Sequence, residues 1–367
     1  MKHLVFVGAG HAHLYALSRV RDFRAAGARV TLIAPGRFWY SGMGPGMAAG
    51  TYEPSDDTVD VEHLVTQGGG EFVRGTVVRI EPARRALQLR HGRVINYDLL
   101  SLNVGSEVPV EEIAGAEENG VPVKPIKNLL TLRTSLTSKE HARRVVVIGG
   151  GAAGSEVCAN LWHLLDGLDR APELTLITSE GRLFPQAAPR ASEILESYLQ
   201  KLGIAIERNR RARRLDATEV LLDDDRRIPC DAGVVAIGIR PPRLLRESGL
   251  SCAGDGSFKV NSYLQSVSDP AIFGAGDCIC FSEECLPRIG VYAVRQGPVL
   301  HCNLLATLRG SVLEPFSPQR RYLLILNLGD GTGLLTYGRL ALRGRWAFWL
   351  KDWLDRRFVN KFRSRRN

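Results

Sequence analysis

The chain has no apolar run of 18 residues, and cysteine is missing from the first 157 of its 367 residues. The first absence argues against a helix that spans a bilayer. The odd total of seven cysteines favours free thiols in a reducing cytoplasm over the disulfide framework of a small secreted domain. No signal peptide is expected, because the apolar residues 5–7 run directly into Gly8. The composition, 44% apolar and 24% charged, is instead typical of a soluble globular protein.

Acidic residues are scarce at the C-terminal end. Residues 343–367 contain nine Lys or Arg and two Asp, so this segment has a net charge of +7. The net charge of the whole chain is +9. A basic chain usually suggests nucleic acid as a binding partner. Here the basic segment also contains three tryptophans, at 346, 349 and 353, so a lipid surface is favoured and no nucleic acid is expected.

Two glycine-rich turns lie about 140 residues apart. Residues 7–13 read Val-Gly-Ala-Gly-His-Ala-His, and residues 148–154 read Ile-Gly-Gly-Gly-Ala-Ala-Gly. Each turn follows a short apolar run, opens a helix-like stretch and is trailed by another apolar run. This is the pattern of a βαβ dinucleotide-binding unit, in which glycine lets the backbone approach a pyrophosphate at a helix N-terminus. Two such units in one chain predict two dinucleotides, most simply a flavin and a nicotinamide.

Further motifs carry a resemblance to a known family. Residues 273–278, Phe-Gly-Ala-Gly-Asp-Cys, and residues 236–238, Ala-Ile-Gly, resemble motifs of flavoproteins in the pyridine nucleotide-disulfide oxidoreductase superfamily. The second turn continues to Glu156, as in type II NADH dehydrogenases. Residues 10–13, 40–43, 291–297 and 351–357 are similar to the flavoprotein domain that also occurs fused ahead of selenide, water dikinase.

The resemblance implies an α/β fold with two Rossmann-like dinucleotide-binding domains, as in glutathione reductase, and a C-terminal β and amphipathic-helix region. It implies an FAD-binding domain split between residues 1–115 and 255–325. An NAD(P)H-binding domain at 116–254 would be inserted into it, and residues 326–367 would form the C-terminal region. Residues 71–80 read as one strand of the first domain.

The resemblance also implies the site. The catalytic candidates are Glu156 and Lys124, and no metal site is expected. The residues predicted to contact FAD or NAD(P)H are Gly8, Gly10, His11, His13, Ser41, Gly42, Val78, Gly105, Gly276, Asp277, Tyr292, Gly149, Gly151, Gly154, Glu180 and Gly238. The Asp277 carboxylate would hold the ribityl chain of the flavin.

Several positions depart from the family pattern. His13 replaces the third glycine of the first turn, and no acid follows the second apolar run to hold a ribose. Val291 and Arg295 stand where type II NADH dehydrogenases place two glutamines that line the quinone tunnel. Residues 40–43 contain no cysteine, so a thiol–disulfide relay at that position is not expected.

Four alternatives remain open from the residues themselves. Glu156 is either a helix-capping acid or a carboxylate that gates hydride transfer or relays a proton. Lys124 either supports the reduced flavin or is a solvated connector residue. Cys278 and Cys280 are either redox-active or inert buried thiols. The acid Glu180 favours NADH, whereas the nearby Arg182 would suit NADPH.

The expected function is an FAD-dependent NAD(P)H dehydrogenase that passes electrons to a quinone or a similar acceptor. The alternatives are a sulfide- or selenium-linked flavoprotein oxidoreductase and a flavin redox sensor with little turnover. Residues 346–366 are predicted to form an amphipathic helix with Trp346, Trp349, Leu350, Trp353, Leu354 and Phe358 on one side and Lys351, Asp352, Asp355 and Arg356 on the other. Such a helix would hold a cytoplasmic protein on the inner face of the cytoplasmic membrane. A homodimer is left open as an expectation for its assembly.

Overall fold

The computed structural model describes residues 1–139, 141–281 and 285–363. Its strands are β1 (Lys2–Val7), β2 (Ala28–Ala34), β3 (Phe38–Trp39), β4 (Thr58–Val59), β5 (Glu71–Arg74), β6 (Val77–Glu81), β7 (Ala86–Leu89), β8 (Val94–Asn96), β9 (Leu99–Leu102), β10 (Gly120–Pro122), β11 (Arg144–Ile148), β12 (Glu173–Ile177), β13 (Ala205–Glu207), β14 (Ala212–Leu215), β15 (Glu219–Leu222), β16 (Arg227–Pro229), β17 (Ala232–Val235), β18 (Phe258–Val260), β19 (Ile272–Gly274), β20 (Ile279–Phe281), β21 (Leu323–Asn327), β22 (Gly333–Tyr337) and β23 (Leu340–Gly344). Its α-helices are α1 (His11–Leu17), α2 (Val20–Ala25), α3 (Gly44–Ala48), α4 (Val61–Gln67), α5 (Ala116–Asn119), α6 (Lys127–Ser138), α7 (Ala152–Asp166), α8 (Pro189–Lys201), α9 (Leu244–Glu247), α10 (Gly290–Arg309) and α11 (Arg345–Asn360).

The first parallel sheet has the strand order β19-β9-β1-β2-β5. Leu4 pairs with Val30 on one side and with Leu99 on the other. The central strands are apolar along almost their whole length because helices cover both faces of a parallel sheet. Helices α1 and α10 pack against each other beside this sheet, and the turn before α1 is the first glycine-rich turn.

The second parallel sheet has the strand order β10-β17-β11-β12-β13. The second glycine-rich turn joins β11 to α7, just as the first joins β1 to α1. The chain leaves the first sheet after β9, builds the second sheet, and returns to the first with β19. The predicted α/β fold with two Rossmann-like units is confirmed. The boundaries at residues 115/116 and 254/255 stay predictions.

Residues 71–80 do not form the single strand that the sequence predicts. Gly75 separates β5, which completes the first sheet, from β6, which starts the antiparallel sheet β6-β7-β8. The backbone N–H of Gly75 donates to Ala34 O, and a Cβ on Gly75 would lie 2.9 Å from Leu89 Cδ2. A side chain at this position would disturb that packing. The glycine therefore interrupts the apolar run at the point where the chain passes from the first sheet to the antiparallel sheet.

The C-terminal region consists of the antiparallel sheet β21-β22-β23 and helix α11, which packs on it. The side of α11 that packs on the protein includes two charged residues. Its buried residues are Ala347, Lys351, Asp355 and Val359, whereas Trp346, Trp349, Trp353 and Leu354 are exposed. Lys351 and Asp355, which the sequence places on the charged side of the helix, are therefore buried. The helix ends at Asn360, and residues 364–366 of the predicted segment lie outside the described residues. Within the described residues, no helix is long and apolar enough to cross a membrane.

The cysteines also differ from expectation at one place. Cys280 on β20 forms a disulfide with Cys285, so the prediction of free thiols is wrong for this pair. Cys278, its neighbour in the Cys-x-Cys sequence, is a buried free thiol whose pKa is raised to about 12 by burial. A thiol with so high a pKa is a poor nucleophile.

Candidate functional site

One large cavity lies at the carboxyl ends of both parallel sheets. Its volume is about 1580 Å³, and it is lined by both glycine-rich turns, by the loop that contains Asp277, and by one side of α11. Ligand pockets for small molecules usually measure roughly 300–1,000 Å³. The larger volume suits two extended dinucleotides that meet in one site, and the carboxyl ends of the strands are where α/β sheets bind them.

The first turn is held by an asparagine that the sequence analysis did not single out. A Cβ on Gly8, at φ +82°, would lie 2.5 Å from Asn103 O, and one on Gly10 would lie 2.4 Å from Asn103 Oδ1. Asn103 Nδ2 also donates to Ala275 O at 2.6 Å. Asn103 therefore joins the first turn to the loop that leads into Gly276. Its position at the end of β9, next to the turn, was the signal that could have identified it.

His13 fills the place of the missing third glycine and does not line the cavity. Its Nδ1 donates to Gly8 O at 2.6 Å, and its Nε2 accepts from Ser101 Oγ at 2.8 Å. Burial lowers the pKa of His13 to about 4, so the ring is neutral. The side chain supports the turn from within the core.

His11 is on the cavity wall. Its ring packs against Phe38, Tyr40 and Phe358, and its buried Nε2 has no hydrogen-bond partner among the described residues. Burial lowers the pKa of His11 to about 4, so it is a neutral donor or acceptor. A polar atom buried without a partner is costly. A flavin dinucleotide that supplies this partner fits the site, and space is open beside Gly105, where a built Cβ meets nothing within 4 Å.

Asp277 is clamped by two side chains. Lys124 Nζ donates to Asp277 Oδ2 at 2.8 Å, and Ser106 Oγ donates to the same oxygen at 2.8 Å. Burial alone would raise the pKa of Asp277, but the charge and hydrogen bond of Lys124 outweigh it and hold that pKa below its usual range. The carboxylate keeps a free oxygen for a hydroxyl donor such as a ribityl chain. Lys124 is thus bound into the site and is not a solvated connector residue.

Glu156 is a buried acid in the first turns of α7. Its Oε1 accepts from the backbone N–H of Asn327 at 2.7 Å, and its side chain lines the cavity. Burial raises the pKa of Glu156 to about 7, against the opposing charge of Lys351. An exposed capping acid would have neither feature. A carboxyl group that titrates near neutral pH can both hold and release a proton there.

A buried ion pair on α11 forms another part of the wall. Lys351 Nζ donates to Asp355 Oδ2 at 2.6 Å and to the main-chain oxygen of Gly42, and the Tyr40 hydroxyl donates to Asp355 Oδ1 at 2.9 Å. Burial would lower the pKa of Lys351, but Asp355 and Glu156 raise it. Sequence reasoning missed this pair. Lys351 and Asp355 are four residues apart, so they lie on the same side of the helix. In a helix rich in aromatic residues, this spacing of opposite charges was a signal compatible with a buried ion pair.

The second turn has a different geometry. A Cβ on Gly149, at φ +124°, would lie 2.4 Å from Ala236 O, whereas one on Gly151 would meet nothing within 4 Å. Gly154 does not line the cavity, because its Cα packs against the turn itself: a Cβ there would lie 1.8 Å from Gly149 O. Gly151 therefore faces the ligand space, and Gly154 allows the helix to start close to the strand.

The residues that could recognise the ribose of the nicotinamide nucleotide follow β12. Glu180 lies on the cavity wall. Arg182 does not: its guanidinium donates to Pro185 O at 2.7 Å and to Ala187 O at 3.1 Å, which binds it to its own loop. Two arginines that the sequence analysis did not consider, Arg210 and Arg211, line the same end of the cavity, and Arg210 is paired with Asp224 at 2.7 Å.

The structure brings most of the predicted contact residues together. Those on the cavity wall are Gly8, Gly10, His11, Ser41, Gly42, Gly105, Lys124, Gly149, Gly151, Glu156, Glu180, Gly238, Gly276 and Asp277. Four predicted residues do not belong to the cavity wall formed by the described residues: His13, Gly154, Val78 and Tyr292. Val78 is exposed on β6, and the Tyr292 hydroxyl donates to Gln319 O at 2.9 Å.

Known proteins resemble this chain in sequence and in fold. The chain is 25% identical to ferroptosis suppressor protein 1 of Taeniopygia guttata over 304 residues, which are 78% of each protein. It is 30% identical to the nitric oxide reductase FlRd-NAD(+) reductase of Klebsiella pneumoniae over 246 residues, or 62% of this chain and 60% of that protein.

Among solved structures, the sulfide:quinone oxidoreductase of Aquifex aeolicus matches 99% of this chain and 92% of its own, with a TM-score of 0.83 at 19% identity. NDH2 of Plasmodium falciparum in complex with NADH matches 98% of both chains, with a TM-score of 0.82 at 14% identity. At these identities the likeness concerns the fold. Residues 2–297 match the pyridine nucleotide-disulphide oxidoreductase family. The chain therefore belongs to the pyridine nucleotide-disulphide oxidoreductase family and is an oxidoreductase that uses FAD and NAD(P)H.

Proposed function

We propose that this protein transfers electrons from NADH through FAD to a quinone that it meets at the surface of a membrane. The carrying observation is an apolar opening of the cavity. Leu323 and Leu354 both line the cavity and are both 38% exposed at the molecular surface. An apolar substrate could contact these side chains as it enters the cavity.

The surface around this opening is apolar over a wide area. Trp346, Trp349 and Trp353 are exposed on α11, and further exposed apolar side chains follow on β22 and β23: Tyr337, Leu340 and Leu342. We call these six residues, with Leu323 and Leu354, the apolar face. An exposed apolar patch of this kind marks an interaction site. Its tryptophans suit the level of lipid headgroups.

The charges beside the apolar face favour anionic lipid as the partner. Arg339, Arg345, Arg357 and Lys361 are exposed next to it in sequence, and each cation near an anionic membrane contributes about 1 kcal/mol. We propose the inner face of the cytoplasmic membrane as the location, because its leaflet is anionic.

The chain's own residues define the steps on each side. Bound FAD would supply the site with an acceptor for the hydride of NADH and a donor of two electrons. Gly149 and Gly151 leave room for the pyrophosphate of NADH, and Glu180 is placed to accept hydrogen bonds from ribose hydroxyls. Asp277, fixed by Lys124 and Ser106, orients the flavin. Glu156 and Lys351 line the same cavity and would hold or donate protons there.

The experiment measures membrane binding and quinone reduction together. The variant Trp349→Gln/Trp353→Gln removes apolar area from α11 without touching its buried face. It should lose sedimentation with anionic liposomes and reduce membrane quinone slowly, while NADH still reduces the flavin at the wild-type rate. Val312→Gln is the control, because Val312 is 92% exposed but outside α11 and β21–β23. Equal liposome binding by all three proteins would exclude the membrane.

A second candidate function rests on the disulfide. Cys285 lines the cavity and is bonded to Cys280, so a sulfur substrate could exchange there. This sulfide-linked alternative predicts that sulfide bleaches the flavin under anaerobic conditions and that Cys280→Ser/Cys285→Ser abolishes the bleaching. Steady turnover with quinone in that variant would favour the first function. Near-zero turnover with every acceptor would instead indicate a redox sensor.

A further inference from the structure

Two buried asparagines join the nicotinamide-binding unit to the C-terminal sheet. Asn160 lies on α7, four residues after Glu156, and Asn327 is the last residue of β21. The two asparagines are 0% and 1% exposed, and neither belongs to the cavity wall that the described residues form. Burying a polar group is unfavourable unless it finds a partner, so the partners of these two amides show what they hold together.

The two amides bond to each other in both directions. Asn160 Nδ2 donates to Asn327 O at 2.8 Å, and Asn327 Nδ2 donates to Asn160 Oδ1 at 3.1 Å. Asn160 Nδ2 also donates to Glu156 O at 2.8 Å. Asn327 Oδ1 accepts from the backbone N–H of Gly329 at 2.9 Å. Every polar atom of the two side chains therefore has a partner, and these bonds fix the backbone of Asn327 relative to α7.

This arrangement determines what the carboxyl group of Glu156 contacts. The backbone N–H of Asn327 donates to Glu156 Oε1 at 2.7 Å, whereas Oε2 has no hydrogen-bond partner among the described residues. Glu156 lines the cavity, and its Oε2 is not enclosed by protein. One oxygen is thus held by a fixed donor, and the other is open to the cavity.

The charged groups around Glu156 come mainly from α11. Lys351 and Asp355 act on it from that helix with opposite signs. Helix α3 and strand β21, which also pack against α7, contain no titratable residue. The charged residues of β11 and β12 stand at the far ends of those strands from the second glycine-rich turn: Arg144 and Glu173. Within α7 the other titratable residues are Cys158, His163 and Asp166.

The backbone N–H of Asn327 favours the ionised form of Glu156. Burial raises the pKa of Glu156 to about 7, and this hydrogen bond opposes the rise. It is the one hydrogen bond to the carboxyl group from the described residues. If the backbone of Asn327 moved away, the carboxyl group would lose both its orientation and this stabilisation of its charge.

We propose that Asn160 and Asn327 are positioning residues for Glu156, because they fix the N–H that holds one carboxyl oxygen and leave the other open to the cavity. This inference rests on the proposed function, in which Glu156 holds or donates protons there. The two asparagines lie outside the cavity wall and act through Glu156. They also make the position of this carboxyl group depend on the C-terminal sheet as well as on α7.

The test uses two variants of Asn160 in the FAD-loaded protein. Asn160→Leu keeps a similar volume and removes every hydrogen bond of the amide. Asn160→Ser is milder, because a serine in a helix can donate to the main-chain oxygen four residues earlier, here Glu156 O. A hydroxyl group has a single hydrogen to donate, so Asn327 O still loses its donor.

Asn303→Leu is the matched control. Asn303 is also fully buried, and its amide likewise donates to two main-chain oxygens, Tyr263 O and Glu314 O, both at 2.8 Å. Its Oδ1 accepts from the backbone N–H of Glu314 at 2.7 Å. The substitution therefore removes the same kind of bonds from α10, and none of them involves Glu156.

The first measurement follows the protonation of Glu156 without any turnover. Infrared difference spectra between each protein and the same protein with Glu156→Gln isolate the C=O stretch of the protonated Glu156 carboxyl group. In the wild type and in Asn303→Leu this band should lose half of its intensity near pH 7. In both Asn160 variants the midpoint should rise by about one pH unit, because the anion loses its hydrogen bond. An unmoved midpoint in both would overturn the inference.

The second measurement separates flavin reduction by NADH from flavin reoxidation by quinone. Glu156→Gln identifies which of these half-reactions needs the acid. The same half-reaction should slow on the order of 10-fold in Asn160→Leu, because the carboxyl group is misplaced. The Kd for NADH should stay near that of the wild type, since Asn160 lies outside the cavity wall, and Asn303→Leu should change neither quantity.

The double variant Asn160→Leu/Glu156→Gln decides whether Asn160 acts through Glu156. It should be no slower than Glu156→Gln, because a residue that acts only through another has no effect once that other is removed. A full additional slowing would show that Asn160 acts independently and would overturn the inference. If Glu156→Gln slows neither half-reaction, the role given to Glu156 in the proposed function is overturned, and the infrared midpoint still decides the positioning.

Discussion

The buried pair on α11 makes a sharp prediction about stability. Lys351 and Asp355 have side chains that are 7% and 9% exposed and lie 2.6 Å apart. Lys351→Met keeps most of the side-chain volume but leaves the Asp355 carboxylate with Tyr40 as its remaining side-chain partner, close to two other acids. Removing one partner of a buried ion pair costs about 3–5 kcal/mol of unfolding free energy. We expect a loss in this range.

The double variant Lys351→Met/Asp355→Leu separates the pair from its surroundings. It removes both charges, so the uncompensated carboxylate is gone. The cost that remains comes from the Tyr40 hydroxyl and Gly42 O, which lose hydrogen-bond partners at roughly 1–3 kcal/mol each if they stay buried. The double variant should therefore be no less stable than Lys351→Met, and more stable if water reaches either group.

The same helix provides a matched control. Arg356 pairs with Asp352 at 2.9 Å with the same spacing of four residues, but the two side chains are 43% and 30% exposed. Arg356→Met should cost no more than about 0.5 kcal/mol. The assay is equilibrium unfolding in guanidinium chloride at a fixed excess of FAD, because bound cofactor contributes to stability. A cost for Lys351→Met that equals the cost for Arg356→Met would refute the reasoning that burial makes the first pair different.

Three further predictions follow from the site and one from the cysteines. The pKa of Asp57 is raised to about 8 in the folded protein, whereas it is near 4 in the unfolded chain. Its contribution to stability is therefore complete below about pH 4 and is lost as the pH rises through about 8. In parallel denaturation series, the stability of the wild type relative to Asp57→Asn should fall over this range. Gly151→Trp should fill the space left for the pyrophosphate, so that the protein keeps FAD but NADH no longer bleaches it; unchanged bleaching would show that the second turn is only structural. Glu180→Ala should raise the KM for NADH more than that for NADPH in steady-state assays, and an equal change would remove Glu180 from ribose recognition. Denatured, unreduced protein should show five thiols with a thiol reagent and seven after reduction, because Cys280 and Cys285 are bonded; seven before reduction would contradict the disulfide.

Sequence reasoning reached the glycine turns and Asp277 because their function is carried by local conformation. Gly8 and Gly149 have positive φ values in the structure, which glycine adopts without strain. The same reasoning placed His13 and Tyr292 in contact with a cofactor, whereas His13 supports the turn from the core. A residue inside a motif can face either the ligand or the protein interior. The motif alone does not distinguish the two directions.

The sequence by itself determined the two dinucleotide-binding units, their order along the chain and the existence of helix α11, because each depends on neighbouring residues that set backbone conformation and apolar periodicity. Only the tertiary structure decided which side of α11 is buried. Lys351 and Asp355 find their partners at Gly42 and Tyr40, more than 300 residues away along the chain. A helical wheel groups these charges on one side but does not show whether that side is buried, since it contains no information about such distant partners. The burial of this ion pair turns the tryptophans outward and places Lys351 and Asp355 on the cavity wall.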